Sequence, residues 1–585
     1  MMGCAKTTAG LAFAAGLLCS LPPLTASAQN AGELDAVHQI TNYSAVTQQR
    51  LENPEPGNWI NYRRTYNGHV FSPLDQINAS NVKSLTPVWT LSTGVIEGHE
   101  APPLVNNGVM FIVTPMNQVI AADAKTGDIY WRYRAKVPDD LFQLHPTSRG
   151  VGFWGDKLFL AQTDDKLVAL DARTGKEVWS QTVDDYKKGY YLSLMPLVVD
   201  GKVYVGTSGG EYGVRGYVAA YDANDGHQLW RSYTVPGPGE PGHDTWKTDA
   251  WKTGGGGAWM TGNYEPKTKT IYWGVGNPSP WPGPSHPGDN LYTTSTIALD
   301  PDSGKIKSHF QYQWNDSWDW DEMDPAMLVN GDVGGKSGEF LVHPSRSGYL
   351  WVLKPGAEAI EFVSAQPYVH QDAFKSVDPK TGRPSYNEEH KPDIGKLIYF
   401  CPSLWGGKDW PSASYSDSDK LLVIPAQNDM CGQMEGRVEP YDAGKLWLGT
   451  DPAGLLLRPI GDHIGELQGW DLNTGKKVWQ HNYPTMLFAS AMTTGGGLTF
   501  IGGSDDRFFR AFNTKTGDLL WQMRLNSGII GMPSAFEVDG KEYIAIQAGW
   551  GVDGQRITDG LAKTKLKVNP DGAQGGVVWV FAVNQ

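Results

Sequence analysis

The sequence predicts an all-β chain, an eight-bladed β-propeller whose blades dock on one another through tryptophan repeats. Three observations carry that prediction. First, Ala122-Asp123-Ala124-Lys125-Thr126-Gly127-Asp128-Ile129-Tyr130-Trp131 recurs as Leu170-Asp171-Ala172-Arg173-Thr174-Gly175-Lys176-Glu177-Val178-Trp179. Further copies end at Gly226 and Trp230, at Gly475 and Trp479, and at Gly517 and Trp521, and another runs from Leu299 to Gly304. Second, glycine spacings of 48, 51 and 42 residues match the size of a four-stranded blade. Third, 70 Gly, 38 Pro and 23 Trp suit turn-rich β structure rather than helix.

Each part of the repeat has a physical reason. Asp-x-x-x-Gly between two apolar runs is a hairpin turn in which glycine supplies the positive φ. The tryptophan that follows opens the next strand and offers a large face for packing against a neighbouring sheet. Gly348-Tyr349-Leu350-Trp351-Val352-Leu353 reads as a degenerate copy. It lies in the 171 residues between Gly304 and Gly475, room for more than one blade plus insertions. Val577–Val583 is expected to close the ring beside an N-terminal strand. The blades fill roughly residues 50–585, and seven is the nearest alternative count. Helix should be scarce.

Residues 1–28 read as an export signal. Lys6 is its one charge, an apolar run from Leu11 to Leu18 follows, and Ala26-Ser27-Ala28 has a small-x-small cleavage form. Cleavage near Ala28 would deliver residues 29–585 to the periplasm as a single domain. It would also remove Cys4 and Cys19, leaving Cys401 and Cys431 as an even pair in an oxidising compartment, so a disulfide is expected. A formal charge of −14 excludes most nucleic-acid binding and favours a basic partner patch. No Cys-x-x-Cys-His haem attachment occurs, so any electrons must leave for a separate carrier.

Asn315-Asp316-Ser317-Trp318-Asp319-Trp320-Asp321-Glu322-Met323-Asp324 concentrates carboxylates among tryptophans. If the segment is extended, Asp319 and Asp321 share one face and the tryptophans the other. Adjacent carboxylates oppose each other's ionisation unless a cation or hydrogen bonds compensate, and a hard metal ion is the simplest compensation. A solvated acidic loop is the plainer alternative.

With the repeats, four motifs in order resemble the exported quinoprotein alcohol dehydrogenases, which carry pyrroloquinoline quinone (PQQ) in a propeller. They are Gly98-His99-Glu100-Ala101-Pro102-Pro103-Leu104, Ser208-Gly209-Gly210-Glu211-Tyr212-Gly213-Val214-Arg215-Gly216, Gly274-Val275-Gly276-Asn277-Pro278 and Trp318-Asp319-Trp320-Asp321. The resemblance implies that Glu211, Asn277 and Asp319 bind the metal, with Asp319 also the catalytic base and Glu211 the other carboxylate in reach of that role. Asp321, two positions on, resembles the lanthanide-dependent branch; a third anionic ligand balances a trivalent ion better than a divalent one, and calcium is the alternative. Glu100, Arg149, Ser193, Ser208, Gly209, Gly210, Trp259, Arg346, Asp409 and Trp550 fall where the family contacts PQQ. A flat tricarboxylate calls for cationic forks, met by Arg149 and Arg346, and an aromatic floor, met by Trp259.

The implied reaction oxidises an alcohol to a carbonyl compound. Asp319 takes the hydroxyl proton, Arg346 steadies charge developing on the cofactor, and a soluble c-type cytochrome accepts the electrons. Relatives are often homodimers. Many also carry adjacent cysteines above PQQ; here Leu141-Phe142-Gln143-Leu144-His145-Pro146 holds none, with Gln143 and Leu144 in their place. That departure leaves sugars or bulky secondary alcohols open as substrates. A non-enzymatic propeller scaffold would have no reason to keep Glu211, Asn277, Asp319 and Asp321 together.

Overall fold

The repeat turns close as their sequence dictates. In the copy at Asp123, the carboxylate accepts the backbone N–H groups of Lys125 and Thr126 at 2.8 and 3.0 Å, and Gly127 N–H returns to Asp123 O at 2.8 Å. Gly127 sits at φ +80°, the left-handed region that glycine enters without steric cost. A second requirement falls on the same residue. A Cβ there would meet the Trp89 ring at 2.8 Å, because the indole of one sheet lies flat on the turn glycine of the next.

The computed structural model of the chain describes residues 32–583, apart from residues 357, 504, 567 and 569–572. The proposed export signal lies outside the described residues. Within them the chain is almost entirely strand and turn, with α-helix at Gln48–Glu52 and Val552–Ala562. Strands assemble into eight sheets of four or five strands, with two smaller sheets between the fifth and sixth. Neighbouring strands in the larger sheets are antiparallel, except that Phe71–Ser72 adds in parallel to Met492–Thr494.

Indole hydrogen bonds link one large sheet to the next along the chain. Trp89 Nε1 donates to Ala124 O at 3.1 Å, Trp131 to Ala172 O at 3.2 Å, Trp179 to Ala223 O at 3.3 Å and Trp230 to Pro301 O at 3.1 Å. Trp479 donates to Thr514 O at 2.9 Å, and Trp521 to Leu85 O at 3.1 Å. Where the repeat lacks its tryptophan the link persists through other side chains: Ser308, at the tryptophan position of its sheet, donates Oγ to Gly356 O at 3.4 Å, and in the following sheet, where Ser364 holds that position, Gln366 Nε2 two residues on donates to Gly475 O at 3.0 Å. Leu85–Ser92 pairs antiparallel with Val577–Val583, so the last described strand joins the sheet that holds Trp89, beside an early strand as expected.

The long interval between repeats carries the insertions. Leu397–Phe400, Met430–Glu435 and Leu457–Pro459 form a three-stranded sheet, and the Cys401–Cys431 disulfide ties its first two strands. The acidic segment does not meet the condition under which alternation would sort its side chains. Residues 315–324 form no strand, and Asp319 takes φ +66°. The tryptophans still separate from the carboxylates, since Trp318 and Trp320 stack 4.8 Å apart and are fully buried.

Candidate functional site

Asp316 shapes the acidic loop. Its Oδ2 accepts the backbone N–H groups of Trp318, Asp319 and Trp320 at 3.2, 3.1 and 3.3 Å, an arrangement that turns the chain between the two carboxylates, Asp319 and Asp321, that line the cavity. Asp321 is then fixed by donors from two other segments. Its Oδ1 accepts Asn277 N–H at 2.7 Å and its Oδ2 accepts Trp259 Nε1–H at 3.1 Å. Gly276 allows the approach, for a Cβ there would fall 2.3 Å from Asp321 Oδ1.

Arg346 joins the carboxylates. Its Nη1 donates to Asp319 O at 2.7 Å and lies 3.4 Å from Asp321 Oδ2, while Nη2 pairs with Asp409 Oδ2 at 2.9 Å. Burial works against the Arg346 charge, but Asp409, Asp321 and Asp319 outweigh it and push its pKa up. Burial pushes the Asp321 carboxyl up to about 7; Arg346 opposes that and Glu211 adds to it. Burial likewise raises Asp319 well above the usual range, against Arg346 and with the help of Asp321 and Glu211. The Asp319 Oδ1 atom is buried and has no hydrogen-bond partner.

A second cluster stands on the other side. Arg149 Nη2 pairs with Glu100 Oε2 at 2.7 Å, its Nη1 donates to Ser193 Oγ at 3.0 Å, and Ser193 Oγ lies 2.9 Å from Ser208 Oγ. The guanidinium sits over two rings, 4.9 Å from the centre of Trp259 and 5.1 Å from that of Trp410. Gly209, at φ +106°, packs where a Cβ would meet Gly189 O at 2.1 Å, and with Gly210 it leads into the short 3-10 turn that presents Glu211.

These residues meet at one cavity of about 870 Å³. Arg149, Ser193, Ser208, Glu211, Trp259, Asp319, Asp321, Arg346 and Asp409 all line it. Glu100 and Asn277 stand behind Arg149 and Asp321, and Gly209 and Gly210 shape the backbone between Ser208 and Glu211. Trp550 is not brought to the cavity wall. It is fully buried between Gly528 and Gly554, where a Cβ at either glycine would strike its ring at 2.4 and 2.7 Å.

Leu144, which stands in place of the adjacent cysteines, lines the cavity. Sequence reasoning missed much of the rest of the wall and its support: His145, Tyr191, Trp281, Trp405 and Trp410 line it too. Beneath the site, Asp324 accepts Arg63 Nη2 at 2.6 Å and Lys408 Nζ at 2.7 Å, and Lys408 also donates to Asp409 O and Pro411 O at 3.0 Å. This buried network sets the segment that carries Asp409.

The residues present fit both expected groups. Glu211, Asn277, Asp319 and Asp321 offer oxygen donors only, and the orphaned Asp319 Oδ1 is the kind of buried atom that a hard cation satisfies. Trp259 offers an aromatic wall between two buried guanidinium groups, the chemistry that a flat polycarboxylate needs.

Comparison with known proteins agrees. Residues 59–357 and 465–544 match the family described as "PQQ: Glucose/ethanol/alcohol dehydrogenase, beta-propeller domain". The quinoprotein alcohol dehydrogenase PedH of Pseudomonas putida KT2440 is 37% identical, over 88% of this chain and 89% of its own. The quinoprotein ethanol dehydrogenase of Pseudomonas putida is 32% identical over 94% of each. Among solved structures, a europium-containing methanol dehydrogenase superposes with a TM-score of 0.85 at 33% identity, covering 92% of this chain and 99% of that one. The protein belongs to the PQQ-dependent alcohol dehydrogenase family and is a quinoprotein oxidoreductase acting on CH–OH groups.

Proposed function

We propose that this enzyme is a periplasmic dehydrogenase that holds PQQ and one lanthanide ion in an eight-bladed propeller. On this reading it oxidises alcohols to aldehydes or ketones and passes the electrons to a soluble c-type cytochrome. The observation that carries it is that Glu211, Asp319 and Asp321 all line one cavity, with the Asp319 Oδ1 buried and unpartnered. The eight large sheets and the indole links between them support the blade count. Glu211, Asn277, Asp319 and Asp321 would hold the ion, and three carboxylates favour a trivalent charge over calcium. Arg149, Arg346, Ser193, Ser208 and Trp259 would hold PQQ.

When bound, PQQ supplies the two-electron acceptor and the ion a Lewis acid beside it. The chain supplies the rest. The Asp319 carboxylate accepts the proton of the substrate hydroxyl, and Glu211 is the other carboxylate in position to do so. Arg346, fixed by Asp409 and the Asp319 carbonyl, places a permanent cation where negative charge develops. The apolar and aromatic walls exclude water from the reacting end.

The test is dye-linked alcohol oxidation by metal-free protein given PQQ with lanthanum or with calcium. Activity with lanthanum and little with calcium is expected. Activity with calcium alone would overturn the lanthanide reading. Silence with both, together with no PQQ binding by absorbance, would overturn the site.

A further inference from the structure

The cavity changes character along its depth. Around the buried Asp319, Asp321 and Asp409 it is highly charged, and towards solvent its lining turns apolar, with Leu448 buried and Leu144, Leu404, Trp405, Leu455 and Leu457 half-buried as a collar. At the mouth it becomes charged again, and the sign is unexpected. Arg458, Arg556, Lys563 and Lys565 line it, against Asp559 alone of the acids there. The chain as a whole has 49 basic and 63 acidic side chains, so an unselected stretch of its surface would lean the other way.

These cations come from separate elements. Arg458 belongs to the inserted strand Leu457–Pro459, while Lys563 and Lys565 follow the helix Val552–Ala562. A cation at the end of a helix also complements the helix dipole, which accounts for Lys563 locally. No such reason applies to Arg458. Its side chain is held in place instead, with Nε donating to Gln433 Oε1 at 2.6 Å and the guanidinium 4.7 Å from the Tyr399 ring centre. Among the described residues, Arg458, Lys563 and Lys565 form no ion pair with a carboxylate. A fixed guanidinium and two unpaired ammonium groups over an apolar collar match a ligand with an anionic head and an apolar stem.

We propose that the mouth selects alcohols whose far end carries a carboxylate or similar anion, joined to the hydroxyl by an apolar chain. The inference rests on the alcohol oxidation read above and adds the substrate class. The anionic head is held at the rim by Arg458 and Lys563, the stem lies along the leucine collar, and the hydroxyl reaches Asp319. The volume is consistent, since about 870 Å³ lies near the upper end for ligand pockets and leaves room beside a flat cofactor.

The test compares kcat/KM of the reconstituted enzyme for 8-hydroxyoctanoate, its methyl ester, 1-octanol and 8-amino-1-octanol. The carboxylate is expected to exceed the ester by ~5-fold or more at low salt, the scale of one or two partly screened ion pairs, with the amine poorest. The advantage should reside in KM and shrink in 0.5 M NaCl. It should fall towards unity in the double variant Arg458→Gln, Lys563→Gln. Turnover of 1-octanol reports separately on alcohol oxidation itself. Titration calorimetry with octanoate and with octylammonium reads the mouth without turnover, and octanoate alone should bind. Equal kcat/KM for acid and ester, or an advantage that neither salt nor the double variant changes, would overturn the proposal. So would a double variant that slows only PQQ uptake, since the rim would then serve cofactor loading.

Discussion

Glu542 offers a stability prediction that can be worked through from its surroundings. The side chain is 1% exposed on the strand Lys541–Ala548, where its Oε2 accepts the Ile77 N–H at 2.9 Å and its Oε1 is buried without a partner. Burial pushes the carboxyl up from 4.5 to about 7, against the two backbone hydrogen bonds that oppose it. A folded-state pKa above the unfolded one means that the neutral form belongs to the folded state. Its contribution is therefore complete below 4.5 and is lost as pH rises through about 7. That interval corresponds to about 3 kcal/mol at 1.36 kcal/mol per pH unit. For a chain of this length the unfolding entropy is about 1.2 kcal/mol per degree, so the loss amounts to about 2–3 °C in Tm. The perturbation is Glu542→Gln, which keeps an oxygen for Ile77 and removes the titration. Tm would be followed by intrinsic fluorescence at pH 5 and pH 8 in constant ionic strength. The wild-type protein should lose about 2–3 °C more than the variant between those values. Parallel curves would refute the reasoning, because they would mean that water or a shift of the Ile77 segment relieves the buried charge.

Three further predictions concern the site and its support. Asp319→Asn should lower alcohol turnover by about 1,000-fold or more, in line with loss of a positioned base, while absorbance shows PQQ retained; near-normal turnover would move the base to Glu211. Asp321→Ala should reduce lanthanide-supported activity by at least about tenfold more than calcium-supported activity, since one fewer carboxylate matters more to a trivalent ion; equal losses in reconstituted enzyme would make Asp321 structural. Asp324→Ala strands Arg63 and Lys408 in the interior and should cost about 3–5 kcal/mol. A thermal melt should show the drop, and adding Lys408→Met should recover part of it.

The fold was legible where a single residue does two things. At Gly127, Gly175, Gly226 and Gly517 the repeat encodes both its turn and its docking surface, because the glycine that needs positive φ is also the one on which the neighbouring indole lies. Where Ser308 and Ser364 replace that indole, the pattern thins although the link remains, and the 171 residues from Gly304 to Gly475 show room for an insertion without showing that its residues line the cavity. Carboxylate ligands were legible for a different reason: buried like charges are costly, so their clustering is itself a signal. The face sharing that an extended 315–324 would give does not apply, because alternation assumes a strand, whereas Asp316 captures three successive N–H groups in a turn. Trp550 stands where the family contacts PQQ but does not line the cavity. Glycines at 528 and 554 enclose it, a contact between segments that spacing does not reveal. Leucines of the collar carry no mark at all, since an apolar side chain facing a cavity looks the same in sequence as one facing the core.

The pairing of Leu85–Ser92 with Val577–Val583 has a consequence for the order in which the molecule can be built. An early strand must wait, edge exposed, until nearly all of the remaining chain has been made, because its partner is the last strand described. Trp521 donates to Leu85 O and Trp89 docks on Gly127, so this late pairing lies between two indole links. Contacts of such long sequence separation form slowly. A chain cut before Val577 would keep every carboxylate of the site and both buried arginines beside it, yet would leave Leu85–Ser92 as an open edge inviting a second copy. Its fate would be aggregation rather than inactivity.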